Sequence, residues 1–588
     1  MSLTYILGKD AALEDSINLM QHKLSLLGFN IEQVSWLNPV VNVWSVHIRD
    51  RDCHYCFTNG KGASKAAALA SALGEFFERL ACNYFFADYY LGEQIANAKF
   101  VHYPQEIWLT LDEINSGTKP LLDPALSQWF DPELELDFSD LVDLNSGNSS
   151  RGICCLPFTR QADGQQVHIP LNIIANLYVS NGMAAGNSKS EARVQALSEI
   201  LERFVKNRII SEGLALPQIP AEVLAGYPEI ESAINAIESS GFKVIVFDAS
   251  LGGLYPVISV ALLDPVNAGC YAAFGAHPKF EVALERTVTE LLQGRELGGL
   301  HSFPEPSLDL LQVADQQNLE THFIDSSGTL SWMMFKQNSD FEFCAWDFQG
   351  DTVAEFTYLI DCVQSIAQDI YIADYSHLGV YACRILVPSV SEIYPVDDLK
   401  WQNSNSGNQL RQQILELSSD SLQIEQLLQV IDSLDLDESL IVMEFIGVIS
   451  DKDSPWFNLR FGELQALLAL AIADFELAYN CVCWTLDFCA LSLTAHNLSF
   501  YRALKVILEL EQDPDNKLAD YLPAFKALYS TAAVDKALAH ISGELKFSDL
   551  TPIDSQLSGL VEHQQLLQAY NKVQQAKQSQ FVDLYNKG

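Results

Sequence analysis

The chain writes one helix twice. "GASKAAALASALGEFFERL" (residues 62–80) returns as "GNSKSEARVQALSEILERF" (186–204) at an offset of 124, which pairs Gly62 with Gly186, Ser64 with Ser188, Lys65 with Lys189, Glu75 with Glu199, Glu78 with Glu202 and Arg79 with Arg203. A fainter third copy lies in "FEVALERTVTELLQGR", where a further offset of 91 sets Glu290 under Glu199, Arg286 under Gln195 and Gln293 under Glu202. Any fold for this chain must house three such helices.

At about 100° per residue, Ser71, Glu75, Glu78 and Arg79 fall within an arc of roughly 100°, with Leu69, Leu73, Phe76, Phe77 and Leu80 opposite. The second copy sets Glu191, Gln195, Glu199, Glu202 and Arg203 against Val194, Leu197, Ile200, Leu201 and Phe204. For a single helix this pattern describes a solvated face with weak i,i+4 pairs. A solvated face, however, accepts Lys, Gln or Ser freely, whereas here the central glutamate recurs in all three copies.

If the three helices converge, Glu75, Glu199 and Glu290 meet with Glu78 and Glu202 beside them. Crowded carboxylates repel and take up protons unless cations relieve them. An all-oxygen donor set without histidine suits a hard divalent ion, foremost Mg2+. Arg79, Arg203 and Arg286 add forked donors suited to phosphate. The combination predicts a nucleoside triphosphate site. The usual phosphate-binding signatures are absent: "TNGKGASK" lacks the G-x-x-x-x-G-K-[ST] spacing, and no G-x-G-x-x-G opens a helix after a strand. Nor is there a G-x-S-x-G elbow.

The balance of 76 acidic against 35 basic residues, a formal charge of −41, repels phosphate backbones and anionic lipid, so neither nucleic acid nor membrane is an expected direct partner. The first residues, "MSLTYILGKDAALEDS", have no signal-peptide pattern, and the apolar run "ALLALAIA" is too short to span a bilayer. A cytoplasmic protein is expected. The 12 cysteines are scattered in apolar context, as reduced thiols would be. The "CHYC" pair, Cys53 and Cys56, has no second pair to complete a zinc site.

Strand-like runs ("VWSVHI", "VHIPLNIIANLYVS", "FKVIVF", "YPVISVALL", "GVYACRILVP") alternate with helical patterns up to about residue 400. The turn-rich "YPVDDLKWQNSNSGNQ" (394–409) then ends the strand signals. The expected fold class is α+β: a mixed α/β domain over 1–400, then an all-α domain over 405–588. In the latter, runs such as "FGELQALLALAIADFELAYNCVCWTLDF", "LADYLPAFKALYSTAAVDKALAHIS" and the polar-rich "LSGLVEHQQLLQAYNKVQQAKQSQFVDLY" read as amphipathic helices, similar to tetratricopeptide-type pairs that contact another protein or a second copy.

These acidic motifs resemble those of the YcaO family, whose ATP site is built from helices carrying S-x-x-x-E-x-x-E-R. "GKDAALEDSI", "RGICCLPFTR", "FGAHPKFEVALERTVTELLQGR", "NLETHFIDSSG" and "IADYSHLGVYACRI" extend the resemblance, to stand-alone bacterial members, over nearly the whole chain. It implies ATP-dependent phosphorylation of a peptide or protein amide oxygen. By motif position Glu75, Glu78, Glu199, Glu202 and Glu290 would hold Mg2+. Lys9, Ser16, Ser71, Arg79, Asn187, Glu191, Gln195, Arg203 and Arg286 would line the ATP. The chain ends "QFVDLYNKG" instead of the proline-rich tail of azoline-forming members, so cyclodehydration by such a tail is not expected. The resemblance implies an accessory factor for β-methylthiolation of an aspartate in small-subunit ribosomal protein number twelve, beside a radical methylthiotransferase, and a homodimer through the C-terminal helices. The chain lacks the C-x-x-x-C-x-x-C motif of such a transferase and would not carry its iron–sulfur cluster. The alternative is a non-catalytic nucleotide-binding protein that docks the modifying enzyme.

Overall fold

The computed structural model describes residues 3–587 except 368, 512, 514 and 548, with side chains to residue 580. Three antiparallel sheets organise the first part. Strands β1 (Ile31–Val40), β2 (Val43–Asp50) and β3 (Phe57–Gly62) form one in sequence order. A second has the order β10-β9-β8, from β8 (Lys243–Asp248), β9 (Val257–Leu263) and β10 (Cys270–Ala276). The third runs β4-β5-β11-β12-β7, from β4 (Ile107–Leu109), β5 (Ile153–Arg160), β7 (Met183–Gly186), β11 (Tyr371–Tyr375) and β12 (Tyr381–Leu386), with β6 (Gln166–Pro170) paired to β5.

The repeated motif is a strand–turn–helix unit used in each sheet. Strand β3 leads into α2 (Lys65–Ala81), β7 into α3 (Lys189–Glu212) and β10 into α4 (Phe280–Leu291), while α1 (Leu13–Leu26) precedes β1. Ser64 caps α2 by accepting from the Ala67 N–H at 3.1 Å, and Ser188 caps α3 by accepting from the Glu191 N–H at 3.1 Å. The paired glycines have a steric reason. A Cβ on Gly62 would stand 2.7 Å from Ala67 Cβ, and one on Gly186 2.6 Å from Ala192 N, so only glycine lets each strand end lie against the helix it starts.

The units close on one another in a ring. Besides its own strand, α2 packs on β7, α3 packs on β10, and α4 packs on β3. Each helix buries its apolar side between two strands, as the period predicts: Phe76, Phe77 and Leu80 on α2, Leu197, Ile200 and Leu201 on α3, and Leu284, Val288 and Leu291 on α4. At about 1.5–3 kcal/mol per fully buried large apolar side chain, these stripes hold the three polar ridges facing a common centre. Further along, α5 (Gln316–Ile324) and α6 (Thr352–Gln364) pack on α3.

Three sequence expectations differ in detail. "VHIPLNIIANLYVS" is not one strand: β6 stops at Pro170 and Leu171–Ile173 and Ile174–Tyr178 coil into helical turns. Pro170 has no N–H for a continued ladder and a φ of −55° that starts a helix. "FGELQALLALAIADFELAYNCVCWTLDF" is two helices, α7 (Phe461–Ala471) and α8 (Phe475–Phe488). Ala473 at φ 61° breaks the run, and Asp474 caps α8 by accepting from Leu477 N at 3.0 Å. The run from Leu518 splits likewise at Ser530, φ 80°, which caps the second helix through Ala533 N at 3.3 Å.

From Asn408 onward the described elements are helices, and the last, α9 (Val561–Lys587), folds back onto the α/β part. Its buried Leu566, Ala569, Tyr570 and Val573 join the core that contains Phe76, Phe77 and Phe86. The Tyr570 and Phe86 rings meet edge to face, centroids 4.9 Å apart.

Candidate active site

The ring brings the three ridges to one cleft. On α2, Arg79 Nη2 lies 3.2 Å from Glu75 Oε1 and Nε 3.6 Å from Glu78 Oε1. On α3, Arg203 Nη1 is 3.2 Å from Glu199 Oε1. Two bonds tie the third helix in: Arg286 Nη1 of α4 donates to Gln195 Oε1 of α3 at 2.7 Å, and Glu290 of α4 forms an ion pair with Lys61 of β3.

The charges of all three units act on one another. Burial first, then Glu199 and Glu75, push the Glu78 carboxyl well above its ordinary range, against the pull of Arg79 and Arg203. Burial also raises Glu202, with Arg286 and Lys61 opposing. Desolvation and then Arg286 bring Lys61 down to about 8, while Glu202, Glu75 and Glu199 pull it the other way. Lys61 and Glu290 nevertheless keep 24% and 35% of their side-chain surface, so the cleft opens to solvent beside them. Below it lies a cavity of about 100 Å³ lined by Glu202, Arg203, Lys206, Glu290, Gln316 and Phe323, among others.

A second cluster sits at the start of α3. Glu191, buried, accepts from Asp10 N at 2.9 Å and from Asn187 Nδ2 at 3.1 and 3.0 Å, and lies 3.3 Å from Lys9 Nζ. Ser16 donates from Oγ to Asn187 Oδ1 at 2.7 Å. The N-terminal segment is thereby fastened to α3 one turn before Gln195. Ser71 is exposed on α2, one turn before Glu75. Gln293 lies beyond the end of α4 and donates to Asn59 O of β3 at 3.2 Å, so the third copy of the ridge stops at Glu290.

Sequence reasoning missed several members. Lys61, one residue ahead of the first copy, was legible only as part of a failed phosphate-loop pattern. Asp10 pairs with Ser188 and accepts from Thr352 Oγ1 at 2.9 and 3.0 Å, and buried Glu355 pairs with Lys279; these contacts join residues far apart in sequence and leave no local signal.

Among the described residues no three His, Cys, Asp or Glu side chains stand together as a ready metal cage. Glu75, Glu78, Glu199 and Glu290 each lean on a lysine or arginine instead. The donor set still fits Mg2+ and phosphate. Every acidic group is a carboxylate, burial raises Glu78 and Glu202 so that an added cation would relieve them, and the buried Arg79 Nη1 has no hydrogen-bond acceptor.

Fold and cleft define a mixed α/β protein whose three repeated strand–helix units enclose a carboxylate- and arginine-lined cleft, followed by a helical part. The chain belongs to the YcaO family: residues 59–391 match the YcaO cyclodehydratase family, described as ATP- and Mg2+-binding, and residues 407–579 match the YcaO cyclodehydratase C-terminal domain. It is 54% identical over 580 residues to the ribosomal protein S12 methylthiotransferase accessory factor YcaO of Escherichia coli (strain K12), covering 98% of this chain and 99% of that one. An uncharacterized protein of Haemophilus influenzae is 52% identical over 578 residues, 98% of each chain. Among solved structures, YcaO from Methanopyrus kandleri bound with AMPPCP and Mg2+ matches 68% of this chain and 96% of its own, with 17% identity and a TM-score of 0.42. No helix among the described residues is long and apolar enough to cross a membrane.

Proposed function

We propose that the chain is a cytoplasmic, Mg2+- and ATP-dependent activator of a peptide or protein amide, working as an accessory factor in β-methylthiolation of ribosomal protein S12 beside a radical methylthiotransferase. The observation that carries this reading is the meeting of Glu75, Glu78, Glu199, Glu202 and Glu290 with Arg79, Arg203 and Arg286 in one cleft, in a chain 54% identical to the E. coli accessory factor.

In this reading the five glutamates hold Mg2+, the three arginines hold the phosphates, and Lys9, Ser16, Ser71, Asn187, Glu191 and Gln195 line the nucleotide. Bound Mg2+·ATP supplies an electrophilic phosphoryl group for the amide oxygen. The chain's own part is electrostatic. Arg79 and Arg203 are already positioned by ion pairs and Arg286 by its bond to Gln195, so neutralising phosphate charge needs little reorganisation at the moment of transfer. The turn-rich stretch 394–409 divides an ATP-binding domain (1–400) from a tetratricopeptide-like domain (405–588).

A second reading, a nucleotide-binding protein that docks the modifying enzyme without turnover, draws on the exposed Phe488 and Leu491 of the helical part, which also suit homodimerisation. Phosphate release and thermal shift with Mg2+·ATP separate the readings. Turnover in the wild type that vanishes in Glu75→Ala and Glu199→Ala supports the enzyme. A thermal shift without turnover, with the S12 substrate and methylthiotransferase present, supports the docking protein. Absence of any shift sinks both.

A further inference from the structure

A larger cavity, about 520 Å³, stands beside the charged cleft and has no part in nucleotide binding as proposed. The two share a wall. On α5, Gln316, Leu319 and Phe323 line the smaller cavity while Glu320 lines the larger, and the consecutive Ile393 and Tyr394 divide the same way. Arg79 of the cleft lies with its guanidinium carbon 4.3 Å from the ring centroid of Tyr84, which lines the larger cavity.

The chemistry of this chamber is uneven. Its deep wall carries the carboxamides of Asn83, Asn145, Asn172, Asn176 and Asn405 together with Arg384, all buried. Three polar atoms of that wall have no partner: Asn172 Oδ1, Asn405 Nδ2 and Arg384 Nε. Two of them have fixed identities. Asn172 gives its Nδ2 to Asp140 O and Asn403 Oδ1, both at 3.0 Å, and Asn405 accepts from Leu144 N at 3.1 Å through Oδ1. Asn172 therefore offers an acceptor and Asn405 a donor. A ligand complementary to this wall both donates and accepts, as a peptide group does.

Another part of the lining carries Asp88, Glu320 and Asp398 around Tyr394, whose hydroxyl is pushed up by burial and then by Glu320, Tyr84, Asp398 and Asp88. No described Lys, Arg or His forms an ion pair with any of these three carboxylates. Together with the charge of −41, they favour a cationic occupant, and Tyr84 and Tyr394 offer ring faces to it.

We propose that this chamber receives the polypeptide whose amide is activated, an extended segment bearing Lys or Arg, with its backbone on the asparagine wall and its positive side chains among Asp88, Glu320 and Asp398. The proposal rests on the amide-activating reading, since it is the shared wall that would bring a peptide group to the cleft. A cavity of about 520 Å³ lies within the roughly 300–1,000 Å³ range of ligand sites.

The test measures peptide binding without nucleotide, so that it stands apart from ATP chemistry. Fluorescein-labelled overlapping peptides covering ribosomal protein S12 are titrated with the full-length protein by anisotropy, against wild type, Glu320→Gln and Asp398→Asn, with Mg2+·ATP thermal shifts recorded for each. The expected result is a Lys- or Arg-containing peptide that binds the wild type and binds each variant at least tenfold more weakly, with the nucleotide shift unchanged. Equal binding to the variants, binding of no peptide, or displacement of the peptide by equimolar spermidine overturns the chamber. Loss of the nucleotide shift in the wild type instead overturns the ATP reading and leaves the peptide result to be judged alone.

Discussion

Arg286 on α4 donates to Gln195 on α3 at 2.7 Å, and this bond joins the third strand–helix unit to the second across the mouth of the cleft. Arg286 is one of the few cations among the glutamates, and Gln195 fixes where its fork points. Replacing Gln195 by leucine leaves the arginine to be ordered by the ligand itself. We expect Gln195→Leu to weaken binding of a non-hydrolysable Mg2+·ATP analogue about tenfold, on the order of the 1.5 kcal/mol of a hydrogen bond to a charged group. Calorimetric titration reads this directly; unchanged affinity would mean that Arg286 does not reach the phosphates.

Lys61 and Glu290 form the opposite closure, strand to helix. Lys61 holds its charge among Glu202, Glu75 and Glu199 at the cost of desolvation, which is the position of a counter-ion. In Lys61→Met the carboxylates lose that counter-ion, and the ligand-free protein should be destabilised by about 1–3 kcal/mol. If Lys61 stands in for Mg2+, the added Mg2+·ATP then restores more than it does in the wild type, and the thermal shift grows. A smaller shift than wild type would instead make Lys61 a phosphate ligand.

Glu78 tests the same cluster from the acidic side. Its carboxyl is crowded by burial, Glu199 and Glu75, so its ionised form is strained in the free protein. Glu78→Gln keeps the shape and removes the charge. The substitution should raise the melting temperature of the ligand-free protein, by the equivalent of about 1 kcal/mol, and abolish the shift caused by Mg2+·ATP. Such opposed changes mark a residue retained for function at the expense of stability; a fall in both would mark Glu78 as structural.

Much of this site was legible because the repeat carries two messages at once. Gly62 and Gly186, Ser64 and Ser188 repeat for architectural reasons, close approach and helix capping, which only the structure reveals. Glu75, Glu78, Glu199 and Glu202 repeat on the other face, and the apolar stripes of the first two copies correctly gave the side those helices bury. What period and composition could not give was the ring, because the packing of α2 on β7 and α4 on β3 is set by contacts between units far apart in sequence. The same limit hid Asp10, Thr352 and Lys61. The path of α9 was hidden for a different reason. Its glutamines mask a stripe of Leu566, Tyr570 and Val573, and nothing local shows that this stripe seats against Phe76 and Phe77 instead of against its neighbouring helices.

His563 pins that seat and gives it a pH dependence. Its Nδ1 accepts from Ile449 N at 3.0 Å and its Nε2 donates to Tyr90 O at 2.9 Å, so the ring must be neutral with the proton on Nε2, linking the helical part, α9 and the α/β part. Burial, with a smaller contribution from Arg411, lowers its pKa to about 4, against the raising effect of Tyr90 O. As pH falls below the unfolded value of about 6.5, the unfolded chain takes up a proton that the folded one refuses. Stability from this group is therefore complete above about pH 6.5 and is lost progressively down to about pH 4, a total of roughly 3 kcal/mol at ~1.4 kcal/mol per unit. Denaturant unfolding at pH 7 and pH 5 should show the loss, and His563→Gln should lower stability at pH 7 while flattening the pH dependence. An unaltered slope in the variant would assign the acid sensitivity to other buried histidines, His322 first, whose pKa is also lowered to about 4, mainly by burial.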